Sequence, residues 1–514
     1  MDYTTICTIY ERLEATGKRL EKARILAEFL KQVPEDELEA VLLLLQGIVY
    51  PRWDRRKLGF SSSLLLKALS RAAGVPAAAI EDSWRETGDL GESARVVLSG
   101  KRQATLLSRR LTLAKVFLNL RRLAEQEGAG SVEGRVQLVA ELLANAAPEE
   151  AKFVVRTVLD ELRVGLGEGT LRDALVWAFL PAVIGISAER AASLPEGTLS
   201  VRSFGEFRER RKEDHAFIFS EDGAVARAIY SWQVSRVQRA LDLCNDFALV
   251  ARKLKEGGIA GFRSITLVPG TPLKVMLALK EDGIAAAFER VGRPAALEYK
   301  LDGFRMQVHR SGERITIFTR RLEDVTAQFP DVVAAVRAQI AGERFILDGE
   351  AVGIDPATGR FLPFQAISQR IRRKYEVTET AKQFPVELHV FDVLFHDETG
   401  MLRRPFTERR ALLGRLVRSG GIVKLIAQLQ TGDEQEAAQF YRQSLAQGNE
   451  GMMLKKLDAP YRPGARVGYL VKLKSTMETL DLVIVGAEWG EGRRSSWLSS
   501  YALACRDEPG GELK

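Results

Sequence analysis

The stretch 298-EYKLDGFR-305 sets one lysine, Lys300, between a tyrosine and a leucine, with an aspartate, a glycine and an arginine after it. Its flanks, 291-VGRPAALEY and 306-MQVHR, have the composition of β-strands. A lysine of ordinary pKa, about 10.4, is protonated at neutral pH and is not a nucleophile. Burial and neighbouring cations both favour the neutral amine. A neutral lysine can attack an electrophile and form a covalent intermediate. The plainer role for Lys300 is an ion pair with Asp302 on a strand edge.

Five more segments follow in order, each setting charge at an expected strand end: 318-FTRRLEDVT, 347-LDGE, 391-FD, 449-NEGMMLK and 469-YLVKLK. Lys472 and Lys474 alternate along the last, so both project from one face. Such cations would stabilise the charge that builds when an α-phosphate is attacked and pyrophosphate leaves. They would also disfavour a protonated Lys300. Mg²⁺ bridging phosphate oxygens, with Mn²⁺ as a substitute, suits the carboxylates. The flat ring of Phe391 suits a purine face. Plainer roles exist here too. Phe391 fits a strand core, Glu350 and Glu450 fit a surface, and Arg466 in 461-YRPGARVGY fits a loop.

Lys-x-Asp-Gly followed by these five segments in this order resembles the signature of the covalent nucleotidyltransferases. The fuller forms are similar to the ATP-dependent DNA ligases, the archaeal type in particular. The likeness runs along the whole chain, including 163-RVGLGEGTLRDAL and 272-PLKVMLA. The resemblance implies that Lys300 becomes adenylated from ATP and that Glu298 reads the adenine. It implies that Arg305 and Arg320 hold the AMP and the nick phosphate, and that Glu350 binds the ribose hydroxyls. Phe391 would stack on the adenine, with Met452 or Met453 on its other face. Glu450 would hold a metal with help from Asp302, and Arg466, Lys472 and Lys474 would grip phosphates. The implied reaction transfers AMP from ATP to Lys300, then to the 5′-phosphate of a nick, which the 3′-hydroxyl attacks to seal the strand.

These groups need scaffolds to position them. From residue 1 to about 200 the apolar spacing is helical, as in 21-EKARILAEFLKQV, which Pro34 stops, and 34-PEDELEAVLLLLQG, which closes on Gly47. The charge-dense run 202-RSFGEFRERRKEDH reads as a linker or a helix end. After about 265 the period changes to strands such as 304-FRMQVH and 314-RITIFT, joined by the turn candidate 310-RSGE. Intervening helices such as 331-DVVAAVRAQI give an α+β region with a mixed or antiparallel sheet. We therefore expect a helical domain over 1–215, assigned to DNA binding by the resemblance. An adenylation domain over 216–475 and a partial OB-fold over 476–514 follow. The family's final basic motif has no match before Lys514, which implies weaker self-adenylation than a chain carrying it.

Helix N-termini and glycine turns such as 165-GLGEG offer N–H groups to phosphates. Arg163 and Arg172 flank that turn as candidate DNA contacts, or as ordinary surface arginines at a helix end. Arg370, Arg372, Arg373 and Lys374 form a second basic cluster. No base-reading motif is present, so binding to nicked duplex DNA is expected to be sequence-independent and salt-sensitive.

Composition agrees. With 46% hydrophobic and 28% charged residues the chain is of the globular class, and its net charge of +7 suits a polyanion modestly. Cys7, Cys244 and Cys505 form no CxxC pair, which excludes a cysteine zinc site, and the four histidines lack ligand spacing. There is no apolar run long enough for a membrane span and no signal-peptide core. A monomeric protein in the cytoplasm, associated with the nucleoid and with a sliding clamp as a further partner, is the expectation. Rival readings are an RNA ligase, a GTP-using mRNA capping enzyme, or a non-catalytic DNA-binding scaffold.

Overall fold

The computed structural model describes residues 1–100, 110–126, 130–180, 198–213, 217–355, 357–372, 377–418, 420–474, 481–490, 497–506, 511 and 513. The first half is helical. Helix Arg19–Leu30 buries Ile25, Leu26, Phe29 and Leu30 and ends before Pro34. Helix Leu38–Leu45 buries every side chain but that of Glu39, and Gly47 follows with φ of 72°, a conformation that only glycine adopts freely. The charged run from 202 holds a short helix of its own, Phe204–Arg210, capped where Ser203 Oγ accepts from Glu206 N at 3.2 Å.

One apolar core runs from Tyr3 to Ile265. Helices Gly223–Cys244 and Phe247–Gly257 belong to it through Val237, Leu241 and Val250. The expected division between 215 and 216 is therefore corrected. Cutting there would strip these helices from their core, and the change of packing falls near 265.

The second half is two packed sheets. We number its principal strands β1 (Leu277–Lys280), β2 (Ala295–Lys300), β3 (Phe304–Ser311), β4 (Arg314–Thr319), β5 (Arg344–Ile354), β6 (Val386–His396), β7 (Gln428–Thr431), β8 (Gly451–Lys456) and β9 (Arg466–Lys474). The smaller sheet has the order β7-β2-β8-β9-β1. The larger has β6-β5-β3-β4, extended by short strands on β6 and β5. Helices Ile284–Val291 and Glu434–Ala446 bury Phe288 and Phe440 against the smaller sheet. Helices Pro330–Gln339 and Phe406–Leu416 bury Val332, Val336 and Leu413 against the larger. The β3–β4 hairpin closes at Gly312, φ 59°.

Beyond these, Val483–Trp489 and Leu498–Ala504 form a two-stranded antiparallel sheet. No single helix among the described residues is long and apolar enough to cross a membrane.

Candidate active site

Lys300 ends β2 in one sheet, and Phe304 begins β3 in the other. The segment between them, Leu301–Gly303, is the crossover. Gly303 is required there, since a Cβ would lie 2.5 Å from the Ala351 carbonyl oxygen and 2.8 Å from Glu350 Cγ. The crossover opens a cavity of about 340 Å³ between the sheets, lined by Glu298, Lys300, Arg305, Arg320, Glu350, Phe391, Arg466 and Lys472. That volume lies in the range of small-molecule sites, roughly 300–1,000 Å³. A larger cleft of about 970 Å³ lies on the helical half, and none of the motif residues lines it.

Register explains the grouping. Across the smaller sheet Gly451 pairs with both Lys300 and Lys474, and Met453 pairs with both Glu298 and Lys472. Gly451 has φ of 146°, and a Cβ there would collide with the Leu473 carbonyl. Glu450, just before it, donates its N–H to the Lys300 carbonyl at 2.8 Å. Its carboxylate forms an ion pair with the Lys300 ammonium and another, at 2.7 Å, with Lys474. Burial raises the Glu450 pKa, but these two lysines outweigh it and hold the carboxyl below its usual range. Lys472 is pushed down by burial and then by Lys300, Lys474, Arg466 and Arg320. The plainer role foresaw an ion pair of Lys300 with Asp302; the carboxylate in contact is that of Glu450, and only 20% of the Lys300 side chain is exposed.

Two more networks frame the cavity. Glu298 is buried, with Oε1 accepting from Gln428 at 2.8 Å and Oε2 paired with Lys455 at 2.6 Å. Lys455 Nζ also lies 4.7 Å from the Phe391 ring centroid, and Arg305 lies 5.4 Å from it. On the larger sheet Arg305 is gripped twice by the fully buried Asp348, at 3.0 and 2.7 Å, and donates to the Met276 carbonyl at 2.9 Å. Tyr461 donates to Asp348 at 2.8 Å and accepts from Met276 N at 3.0 Å. Burial lowers the Arg305 pKa, yet Asp348 outweighs it and raises it above its usual value. Glu350 is pushed up to about 7 by burial, partly offset by Lys300 and Arg305.

Asp348, Lys455, Gln428 and Tyr461 were missed from sequence, although the first two lie inside the motif segments and Tyr461 opens the stretch quoted for Arg466. Met453 lines the cavity while Met452 is fully buried in the core, which resolves the alternation. Asp302 accepts the Phe364 N–H at 3.3 Å. Among the described residues no group of three or more His, Cys, Asp or Glu side chains could hold a metal. A hard cation at Glu450 and Asp302 would therefore draw further ligands from phosphate oxygens or water, as Mg²⁺ commonly does.

The second set of predicted DNA contacts fares differently. Arg370 is 1% exposed and bonds to the Gln328 and Phe384 carbonyls and to Asp331. It is a structural residue, which overturns its assignment to DNA. Arg373, Lys374 and the Arg372 side chain lie outside the described residues. Arg163 pairs with Glu161 at 2.5 Å and Asp89 at 3.4 Å. Arg172 pairs with Asp173 at 2.6 Å and bonds Gln238 at 2.8 Å. Both side chains are about four-fifths buried. Arg320, by contrast, is exposed and also lines a cleft shared with Arg52, Arg56 and Lys57 of the helical half.

A strand-end lysine, a carboxylate and a file of cations around one small cavity mark a nucleotidyltransferase core. Residues 275–474 match the family model "ATP dependent DNA ligase domain", and residues 2–176 match "DNA ligase N terminus". A DNA ligase of Nanoarchaeum equitans is 40% identical over 99% of this chain and 81% of its own length. One of Thermococcus fumicolans is 39% identical over 100% and 82%. The solved structure named Pmar-Lig_PreS3 shares the fold, with a TM-score of 0.50 and 15% identity over 99% of this chain and 86% of that one. The chain belongs to the ATP-dependent DNA ligases, enzymes of the archaeal type.

Proposed function

We propose that Lys300 Nζ attacks the α-phosphorus of ATP, forming a phosphorus–nitrogen bond as the bond to pyrophosphate breaks. The AMP then passes to the 5′-phosphate of a DNA nick. The 3′-hydroxyl attacks that adenylated phosphate, joins the strand and releases AMP. The observation that carries this is Lys300 at the sheet crossover, held by Glu450 beside Lys472 and Lys474.

In this reading Glu298, oriented by Lys455 and Gln428, faces the adenine, with Phe391 and Met453 beside the ring. Glu350 takes the ribose hydroxyls, and Arg320, Arg466, Lys472 and Lys474 take phosphates. Arg305 is held rigid by Asp348, so it contributes a fixed charge at the cavity wall, which suits positioning and charge stabilisation. Glu450 and Asp302 would hold Mg²⁺, which supplies charge neutralisation on the phosphate oxygens when bound. Nicked duplex DNA lies along the helical half, and the strands after residue 482 are the start of an OB-fold. The protein acts inside the cell as a monomer, and a sliding clamp remains a candidate partner.

The test is intact mass before and after ATP and Mg²⁺. One added AMP is expected, and none in Lys300→Ala. An unchanged adduct in that variant would remove Lys300 from the chemistry, and labelling from GTP alone would favour capping.

A further inference from the structure

Outside the cavity, three segments bring arginines together on the seam between the two halves. Helix Gly223–Cys244 carries Arg236 and Arg239, one turn apart and so on one face. Tyr461 N donates to the Leu402 carbonyl at 2.8 Å, which joins the two segments that carry Arg403 and Arg462, and both arginines act on Arg239. Two positions on, Gly464 abuts Asp242 of the same helix, one turn beyond Arg239. A Cβ on Gly464 would lie 2.6 Å from the Asp242 carboxyl carbon. Gly464 N also donates to the Lys274 carbonyl at 3.1 Å, and Lys274 N to the Asp242 carbonyl at 2.9 Å. The loop is thus docked on the helix.

Arg239, Arg403 and Arg462 are exposed, and among the described residues none is paired with a carboxylate. Their neighbours Arg404 and Arg409 do find acids, Glu408 at 3.6 Å and Asp392 at 2.7 Å. Partial burial and then the charges of Arg462, Arg236 and Arg403 hold the Arg239 guanidinium below its usual value. The buried Tyr469 hydroxyl, which feels the charge of Arg462, has no hydrogen-bond partner among the described residues. Like charges gathered from three segments repel, and an anion bound among them offsets that cost. Guanidinium forks are shaped for phosphate oxygens.

The cluster is tied to the cavity through one loop. Arg462 follows Tyr461, which locks Asp348 in the cavity wall, and Arg466 of the same loop lines the cavity. Resting on the ligase reading, we propose that Arg239, Arg403 and Arg462, with Arg236 behind them, seat a backbone phosphate of the DNA duplex beside the nick. Exposed guanidiniums outside the nucleotide cavity suit an extended polyanion read without regard to sequence. The seat draws on both halves, so the duplex would brace one against the other.

The test uses the full chain carrying Arg239→Gln and Arg462→Gln together. Neither side chain is in an ion pair among the described residues, so the fold should survive. Binding to nicked duplex is measured by anisotropy from about 50 to 200 mM salt. The expected result is weaker binding, equal across duplex sequences, with a salt slope shallower by about 0.9 for each phosphate no longer neutralised. AMP uptake from ATP without DNA stays at the parent level. The Arg239→Lys, Arg462→Lys variant retains most of the slope. Parent-like affinity and slope in the glutamine variant would overturn the proposal. So would a loss of AMP uptake with DNA binding intact, which would assign the cluster to the free triphosphate. A parent chain that takes up no AMP fails the ligase reading itself, a separate and visible outcome.

Discussion

The two walls of the cavity treat charge differently. On the larger sheet Arg305 is matched by Asp348, and Tyr461 closes the group from the side. On the smaller sheet Lys300 and Lys474 share Glu450, while Lys472 and the nearby Arg466 add charge with no ion pair among the described residues. A matched, buried pair holds its geometry without a ligand, because separating it leaves a charge out of water. An excess of cations is completed only when a polyanion arrives, and it then stabilises charge at the reacting phosphorus. The contrast separates groups that hold the site's shape from groups that meet the substrate.

Three substitutions would break or sharpen that contrast. The largest effect is expected from Asp348→Asn, which leaves Arg305 buried and unmatched. It should cost about 3–5 kcal/mol of stability, read from urea unfolding. An unchanged midpoint would erase the distinction between the walls. Lys472→Met, on the other wall, should behave oppositely. It relieves repulsion, so the unfolding midpoint should hold or rise. The adenylation rate should fall by about 10²–10³, as when one preorganised donor is removed, and quenched-flow AMP labelling would read it. If Lys472→Met unfolds the protein instead, its charge is structural.

The third effect is a pH dependence at Glu350. Its folded pKa, about 7, lies above the usual 4.5. A carboxyl raised in this way adds stability that is fully present below 4.5 and is lost as pH rises through about 7. Each tenfold difference in proton affinity between folded and unfolded chains corresponds to about 1.4 kcal/mol. Unfolding free energies across that window should decline more steeply in the parent than in Glu350→Gln. Parallel curves would mean that Glu350 ionises as it does in water.

Much of the site was legible because its residues lie in ordered segments at strand ends. The alternation of Lys472 and Lys474 and the position of Lys300 needed only the two-residue period of a strand. Asp348 was overlooked although it lies in 347-LDGE, because nothing local says that it will meet Arg305 from the neighbouring strand. Lys455 was overlooked for the same reason, since its partner Glu298 lies far away in sequence on β2. Arg370 was misread because a basic run on an amphipathic helix looks alike whether a given arginine faces water or a pair of carbonyls. The change of period near 265 was visible, but the charge run at 202–214 drew the boundary too early. Only the shared core of Tyr3 with Val237 and Val250 moves it.

The sequence by itself determined the reagents and their order: one lysine, its carboxylates and cations, each on a strand or beside a strand end. Tertiary structure decided which charges are spent and which are spare. Arg370 and Arg305 are neutralised by partners distant in the chain, while Arg239, Arg403 and Arg462 find no carboxylate among the described residues. That division follows from desolvation and long-range pairing, which depend on what packs against each group and not on its neighbours in sequence.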